Sequence, residues 1–213
     1  MEEIASIRKE YKLQSLNEND VFPNPIEQFS KWWKEAIQSK IEEVNAMTLA
    51  TSSADGVPSA RIVLLKGFDE NGFVFFTNYE SYKGMQLHEN PRACLVFFWK
   101  ELERQVRITG VVKKTDSRIS DDYFNSRPEG SRIGAIASPQ SQIIKNRRWL
   151  EENEEKVRSQ FASKEIKRPD HWGGYCVKPV NIEFWQGRPN RLHDRIQHTL
   201  QEQGSWKIER LAP

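Results

Sequence analysis

The chain has 213 residues, 37% of them hydrophobic and 29% charged, and a formal net charge of +2. That is the composition of a folded globular chain, not a disordered one, and it is long enough to bury a core in one domain or two small ones. So small a charge excludes bulk electrostatic attraction to nucleic acid or to an anionic membrane, so any anion site has to be local.

No apolar run reaches the roughly 20 residues of a membrane helix. The opening MEEIASIRKEY lacks the basic-then-apolar order of a signal peptide. Cys94 and Cys176 lie far apart among apolar or aromatic neighbours and read as buried thiols, so the cytoplasm is the expected location. His88, His171, His193 and His198 show no ligand spacing, and no metal site is expected.

Residues 1–23 lack a sustained apolar period and read as a mobile arm with one helical turn; residues 24–213 read as a single domain. Asn24-Pro25-Ile26-Glu27 combines an N-cap, a proline at the first helical position and a capping-box glutamate. The helix it starts is expected to run to about Glu42 and to bury Phe29, Trp33, Ile37 and Ile41. Short β-type runs follow: AMTLATSS, SARIVLLK, GFVFFTN, ACLVFFW and RQVRITGVVKK, with ADG and DENG as turns. A short helix over about Ser81–His88 interrupts them. Further helices are expected over Asp116–Ser126, Ile133–Ala137 and Gln142–Phe161. The strands GGYCVKPVNIEFWQG, RLHDRIQHT and SWKIERL then close the chain. The expected fold is α+β, an antiparallel sheet closing into a barrel with peripheral helices.

The familiar nucleotide and hydrolase signatures are absent: there is no GxGxxG, GxxxxGK[ST] or GxSxG. What is present is cationic and polar. In YFNSRPEGSRIG, Tyr123 and Arg127 share a helix face, Pro128 and Gly130 break the helix, and Ser131 is expected to N-cap the next one. A hydroxyl, a guanidinium and a fresh helix N-terminus suit a phosphate monoester. RIVLLK places Arg61 and Lys66 at an odd spacing, on opposite faces of a regular strand, so one ligand reaches both only across the strand end or a bulge. In FFTNYESYKG, Thr77, Ser81 and Lys83 meet at a strand-to-helix junction, and a lysine in a first helical turn is misplaced unless an anion is bound. Gln105, Gln140 and Ser141 are groups of the kind that read the polar edge of a heterocycle. In FWQGRPNRLHDR, Arg191, His193 and Arg195 are expected on one parity of a strand beside Trp185, a poor arrangement without an anionic or electron-rich partner.

In order along the chain, RIVLLK, FFTN, LERQV, YFNSRP, IGAIASPQS, WGGY, IEFWQG and RLHDR closely resemble the pyridoxine (pyridoxamine) 5′-phosphate oxidase family, the FMN enzymes of vitamin B6 metabolism. The likeness runs from Ile7 to the C-terminal WKIERLAP. It implies a Greek-key FMN-binding split barrel acting as a homodimer, with FMN between subunits. It implies an FMN site lined by Arg61, Ile62, Val63, Leu64, Leu65, Lys66, Phe76, Thr77, Tyr82, Lys83, Gln105, Gln140, Ser141, Trp185 and Arg195. Lys66, Tyr123, Arg127 and Ser131 would hold the substrate phosphate. Arg191, Leu192 and His193 would face the substrate ring, with Arg191 and His193 catalytic, and Arg8, Lys9, Glu10 and Tyr11 would form a lid. The implied reaction oxidises pyridoxamine or pyridoxine 5′-phosphate with O2 to pyridoxal 5′-phosphate, releasing H2O2, and NH3 from the amine. Tyr82 stands where the family usually carries arginine, and Arg188 is a candidate compensating cation. The competing readings are a nicotinamide-dependent split-barrel reductase, a non-catalytic pyridoxal phosphate or FMN binder, and a nucleic-acid binder.

Overall fold

A computed structural model of the chain describes Ile4, residues 6–162 and residues 164–213. Residues 1–3 and 5 of the arm lie outside the described residues. The elements run α1 (Pro25–Gln38), β1 (Ala46–Ser52), β2 (Pro58–Leu64), β3 (Gly67–Asp69), β4 (Gly72–Asn78), α2 (Tyr82–Glu89), β5 (Arg92–Trp99), β6 (Arg104–Lys114), α3 (Ser117–Ser126), α4 (Glu129–Ala137), α5 (Arg147–Phe161), β7 (Trp172–Gln186), β8 (Asp194–Leu200) and β9 (Trp206–Arg210).

The strands hydrogen-bond in the order β2-β1-β5-β6-β7-β4-β3, with β8 on β7 and β9 on β8. Pairs β3–β4, β4–β7, β7–β8 and β8–β9 are antiparallel. β4 returns to the distant β7 instead of its sequence neighbour β5, as in a Greek key. β2 and β4 come into contact although they lie near opposite ends of the ladder, so the sheet curls into the α+β split barrel expected from the sequence.

Two compact units share the chain. Unit one comprises residues 1–49, 94–110 and 179–213, and unit two residues 50–93 and 111–178. β1, β5, β6 and β7 each contribute to both, which is why no linker is visible in the sequence. β7 changes unit at Lys178-Pro179, and proline cannot donate a ladder hydrogen bond. Before it, Trp172 to Val177 pair with β4; after it, Asn181 to Gln186 pair with β8.

In unit one the α1 start forms as expected, with the Asn24 side chain accepting the Ile26 N–H at 2.9 Å. The buried stripe is Ile26, Phe29, Trp32 and Ala36, however, and Ile37 is 52% exposed. Trp32 takes the inward place assigned to Trp33 because it packs on Phe184, with centroids 5.3 Å apart, and over the buried Arg104 guanidinium at 4.4 Å. The helix ends at Gln38, ahead of left-handed backbone at Lys40 and Glu43. From Lys12 on, the arm is tied down by hydrogen bonds: the Lys12 and Leu13 N–H groups to Glu103, and that of Leu16 to Asp194. Among the described residues of the arm, Ile4 and Ser6 have helical backbone, and a 3-10 turn follows at Glu18–Asp20.

In unit two, Phe124, Ile133, Ala137, Val157, Ile166 and Trp172 form a buried cluster beneath α3, α4 and α5. Arg168 staples α3 to the start of β7, donating to Asp121, Ser117 and the Trp172 carbonyl. α5 starts five residues later than expected because Asn146, accepting from the Trp149 N–H, caps it there. The expected strand SARIVLLK stops at Leu64, and Gly67–Asp69 forms a separate short strand paired with β4.

Candidate functional site

Unit two carries two cavities with a common wall. The first, about 460 Å³, is lined by Lys66, Tyr123, Arg127 and Ser131 together with Phe76, Thr77, Gln140 and Trp172. All four residues expected to hold a phosphate therefore meet in one place. Phe76, Tyr123 and Trp172 stack as near-parallel rings, Phe76 lying 4.0 Å from Tyr123 and 5.7 Å from Trp172. Arg127 lies over the Trp172 ring at 4.6 Å and Lys66 lies 5.8 Å from the Tyr123 ring. This stack is possible because Gly174 faces Phe76 across the β4–β7 ladder; a Cβ there would fall 2.8 Å from the Phe76 ring.

Arg127 follows α3 in extended backbone, φ −76° and ψ 147°, which turns it out of the helix toward the cavity. Its buried Nη1 has no hydrogen-bond partner among the described residues. A buried donor without an acceptor is costly, and a cavity oxygen anion would satisfy it. Burial lowers the Arg127 pKa, partly opposed by Tyr123. Ser131 is not the N-cap that its sequence position suggests. α4 starts at Glu129 after Pro128, whose carbonyl accepts the Ser131 N–H at 2.9 Å, so Ser131 has only its hydroxyl to offer.

The second cavity, about 540 Å³, is lined by Arg61, Ile62, Val63, Tyr82, Lys83 and Ser141 and shares Phe76, Thr77 and Gln140 with the first. The odd spacing of Arg61 and Lys66 is thereby explained: β2 ends at Leu64, and the two cations serve neighbouring cavities. Leu64 lines the first cavity, whereas Leu65 is buried and lines neither. Ser81 caps α2, accepting from the Gly84 N–H. Lys83 donates to Thr77, Ser81 and Gln140 at 3.1, 3.1 and 2.9 Å, all uncharged partners. Burial and the neighbouring Arg61 bring its pKa down to about 8. A lysine whose charge is disfavoured by burial and by a neighbouring guanidinium, held by hydroxyls and an amide, suits an anionic ligand.

Unit one carries a third cavity, about 580 Å³, lined by Ile7, Arg8, Lys9, Glu10 and Tyr11 on one side and Arg188, Asn190, Arg191 and His193 on the other. Tyr11 lies edge-on to Trp185 at 5.6 Å, and Trp185 lies 4.6 Å from His193. The expectation that Arg191, His193 and Arg195 share a strand face fails. Pro189–Arg191 is a 3-10 turn with left-handed backbone at Asn190 (φ 58°) and Arg191 (φ 62°), and β8 begins only at Asp194. Arg195 is neutralised within the unit, binding both Glu183 oxygens at 2.8 and 3.1 Å. Arg188, the candidate for compensating Tyr82, is engaged by Asp194 at 3.3 Å and the Gln14 carbonyl. Arg191 has no carboxylate partner among the described residues. The Arg188 N–H donates to His193 Nδ1 at 3.1 Å, so the proton of the neutral ring sits on Nε2. Burial, then Arg191, lower the His193 pKa.

Gln105 is half-buried on β6 in unit one and lines none of these cavities, and Leu192, 68% exposed, lies outside the third. Trp172, Asn78 and Ser138 line the first cavity without having been expected there. The WGGY glycines were the available signal for Trp172, since consecutive glycines in a strand mark close approach.

The family described as Pyridoxamine 5′-phosphate oxidase matches residues 33–161, and the Pyridoxine 5′-phosphate oxidase C-terminal dimerisation region matches residues 172–213. The chain is 56% identical to the pyridoxine/pyridoxamine 5′-phosphate oxidase of Nostoc sp. over 99% of its length and 98% of the relative's. It is 54% identical to that of Salinibacter ruber over all of both chains. Among solved structures it resembles PhzG from Burkholderia lata 383 in complex with tetrahydrophenazine-1-carboxylic acid, with a TM-score of 0.87, 27% identity, and 94% and 99% of the two chains covered. An FMN-binding protein from Nostoc punctiforme shares the fold, with a TM-score of 0.70, 18% identity, and 89% and 98% covered.

Arg127→Met removes the unsatisfied buried donor while keeping apolar contact with Trp172. In phosphate-free buffer the variant is expected to be as stable as the parent, or more so by about 1–2 kcal/mol. Inorganic phosphate should raise the melting temperature of the parent and not of the variant. A variant destabilised by more than about 2 kcal/mol contradicts this account of the cavity.

Proposed function

The chain belongs to the pyridoxine/pyridoxamine 5′-phosphate oxidase family, and from that premise we propose that it oxidises pyridoxamine and pyridoxine 5′-phosphate to pyridoxal 5′-phosphate. FMN is the cofactor in this proposal and O2 the final oxidant, with H2O2 released, and ammonia from the amine substrate. The observation that carries it is the meeting of Lys66, Tyr123, Arg127 and Ser131 in one cavity, beside a second cationic cavity sharing its aromatic wall.

Arg61 and Lys83 would hold the FMN phosphate, with Thr77, Gln140 and Ser141 around them and Tyr82 able to donate one uncharged hydrogen bond. Trp185, Gln105 and Arg195 would join that site in a homodimer, a reading supported by the match of residues 172–213 to a dimerisation region. When bound, FMN supplies the two-electron acceptor and passes the electrons to O2.

Lys66 and Arg127 grip the substrate phosphate, with Ser131 and the Tyr123 hydroxyl as further donors. The phosphate lies away from the bond that changes, so these contacts anchor the pyridine ring and restrict its motion. Arg191, without a carboxylate partner among the described residues, offers its positive charge to the electron-rich substrate ring and its phenolic oxygen. His193 offers Nε2–H as a donor, held in that tautomer by the Arg188 N–H. Tyr11 and its neighbours close the ring's surroundings against water.

The direct test is the visible spectrum of the FMN-loaded protein under anaerobic conditions. Adding pyridoxamine 5′-phosphate should bleach the flavin bands, and air should restore them; bands that persist rule the proposal out. Among variants, Lys66→Ala should mainly raise KM, whereas Arg191→Ala or His193→Ala should lower turnover per bound flavin by tenfold or more, about 1.4 kcal/mol in the barrier. Full turnover in both of the latter removes them from the chemistry. FMN affinity should also depend on pH. Lys83 has its pKa lowered to about 8, so the cation that binds phosphate is present below that value and lost as pH rises through it. The FMN phosphate, with a second pKa of about 6, stays dianionic throughout. Flavin fluorescence titration of the apoprotein should give a Kd that weakens from pH 7 to pH 9.5, by no more than tenfold per unit; a constant Kd would discount Lys83 as a ligand.

A further inference from the structure

Glu103 is an acidic residue at 3% exposure in a backbone conformation that non-glycine residues seldom adopt, φ 53° and ψ 40°. It ends the tight turn between β5 and β6, and the chemistry outlined above does not use it. Its carboxylate reaches the N-terminal segment: Oε2 accepts the Lys12 N–H at 2.8 Å and the Leu13 N–H at 3.0 Å, and Oε1 lies 3.4 Å from Lys9 Nζ. Its main chain reaches the chain just ahead of the other wall of the third cavity, which begins at Arg188: its carbonyl accepts the Gly187 N–H at 2.8 Å and Gln186 Nε2 at 3.2 Å. Burial opposes the charge, but the Leu13 and Lys12 amides and Lys9 hold the carboxyl below its ordinary pKa.

The two segments that Glu103 holds are the two that touch at Tyr11. The Tyr11 side chain packs directly on the Gly187 backbone, where an added Cβ would fall 2.7 Å from its Cβ and Cγ. From that seat the ring lies 5.6 Å from Trp185 and 5.9 Å from His193. A shift of residues 9–13 relative to Gly187 therefore moves the Tyr11 ring off both. The left-handed turn at Glu103 is what lets one residue send its side chain to one segment and its carbonyl to the other.

We infer that Glu103 is a positioning residue for substrate binding: its carboxylate latches residues 9–13 so that Tyr11 seats against Gly187, Trp185 and His193 and completes the third cavity. The kinetic consequence rests on the oxidase reading; the latch itself does not. A buried carboxylate accepting two main-chain N–H groups is worth more than a surface ion pair, because losing it leaves both donors without an acceptor.

The test uses the full-length FMN-loaded protein with Glu103→Ala, Glu103→Gln, Tyr11→Ala and the Ala/Ala double variant. Two measurements are made: the rate of tryptic cleavage after Lys9 and Lys12, and kcat and KM for pyridoxamine 5′-phosphate normalised to bound flavin. Glu103→Ala should be cleaved about tenfold faster, a latch loss of about 1.4 kcal/mol. Glu103→Gln should stay close to the parent, since the amide oxygen still accepts both N–H groups. KM of Glu103→Ala should rise about tenfold with kcat per flavin nearly unchanged, whereas a loss of folded protein would leave KM alone. The double variant should be no worse than Tyr11→Ala, because the two act as one unit. Should Glu103→Ala fail to fold, Glu103→Asp takes its place: aspartate tolerates the left-handed backbone, and its carboxylate sits one methylene short of the amides. Unchanged cleavage in the truncated variant overturns the latch. Faster cleavage with additive kinetic losses overturns its action through Tyr11. A parent protein without oxidase activity refutes the oxidase reading alone, and cleavage then decides the latch by itself.

Discussion

The cavities of unit two depend on one close approach, between β4 and the start of β7. Phe76 pairs with Gly174 and Thr77 with Gly173 in that ladder. Neither glycine could carry a side chain: at Gly174 it would meet Thr115 and the Phe76 ring, and at Gly173 the Tyr79 hydroxyl at 2.2 Å. With both positions bare, Phe76 lies flat against Tyr123, near-parallel to Trp172, and becomes the wall common to the two cavities. The polar groups behind it are satisfied, with the Gly174 N–H donating to Ser120 and the Tyr79 hydroxyl to the Gly174 carbonyl. A rigid aromatic partition with cations on either side is the geometry that two phosphorylated aromatic ligands would need.

The charges fall into two groups. Arg104, Arg107, Arg168, Arg195 and Arg210 all hold carboxylates and act as struts. Lys66, Lys83, Arg127 and Arg191 hold none among the described residues, and each lines a cavity. Arg127 goes further and leaves a buried nitrogen without an acceptor among the described residues. Groups that a fold leaves unsatisfied by its own residues are where binding energy is available, at a cost in stability.

Much of this was legible in the sequence, for identifiable reasons. Local chemistry carried well: Asn24-Pro25 at the α1 start and Ser81 at the α2 start cap as their residue types require. The phosphate corner was readable because Tyr123, Arg127 and Ser131 are close in sequence, and a proline forces the turn between them. What failed depended on partners distant in the chain. Whether Trp32 or Trp33 faces the core is decided by Phe184 and Arg104, which no helical period can report. Alternation placed Arg191, His193 and Arg195 on one strand, but left-handed backbone at Asn190 and Arg191 breaks it; asparagine favours that conformation and was an overlooked turn signal, whereas arginine gives none. The neutralisation of Arg195 by Glu183 was likewise invisible, because the two meet only across paired strands.

The interleaving of the two units bears on how the chain is made. Unit two draws on residues 50–93 and 111–178, so its last residue emerges from the ribosome well before the C-terminus. Unit one needs residues 179–213 to join residues 1–49 and 94–110, and β8 and β9 lie wholly in that last piece. During synthesis the N-terminal helix can pack Phe29 on Phe97 early, but its Trp32 waits for Phe184 until translation is nearly finished. Contacts that span nearly the whole chain, such as Leu16 with Asp194 and Glu18 with Arg210, form last and slowly. A nascent chain that ends before residue 179 thus lacks Phe184, the ring that Trp32 packs on, which makes the final thirty-five or so codons an interval of exposed apolar surface in which a chaperone is of most use.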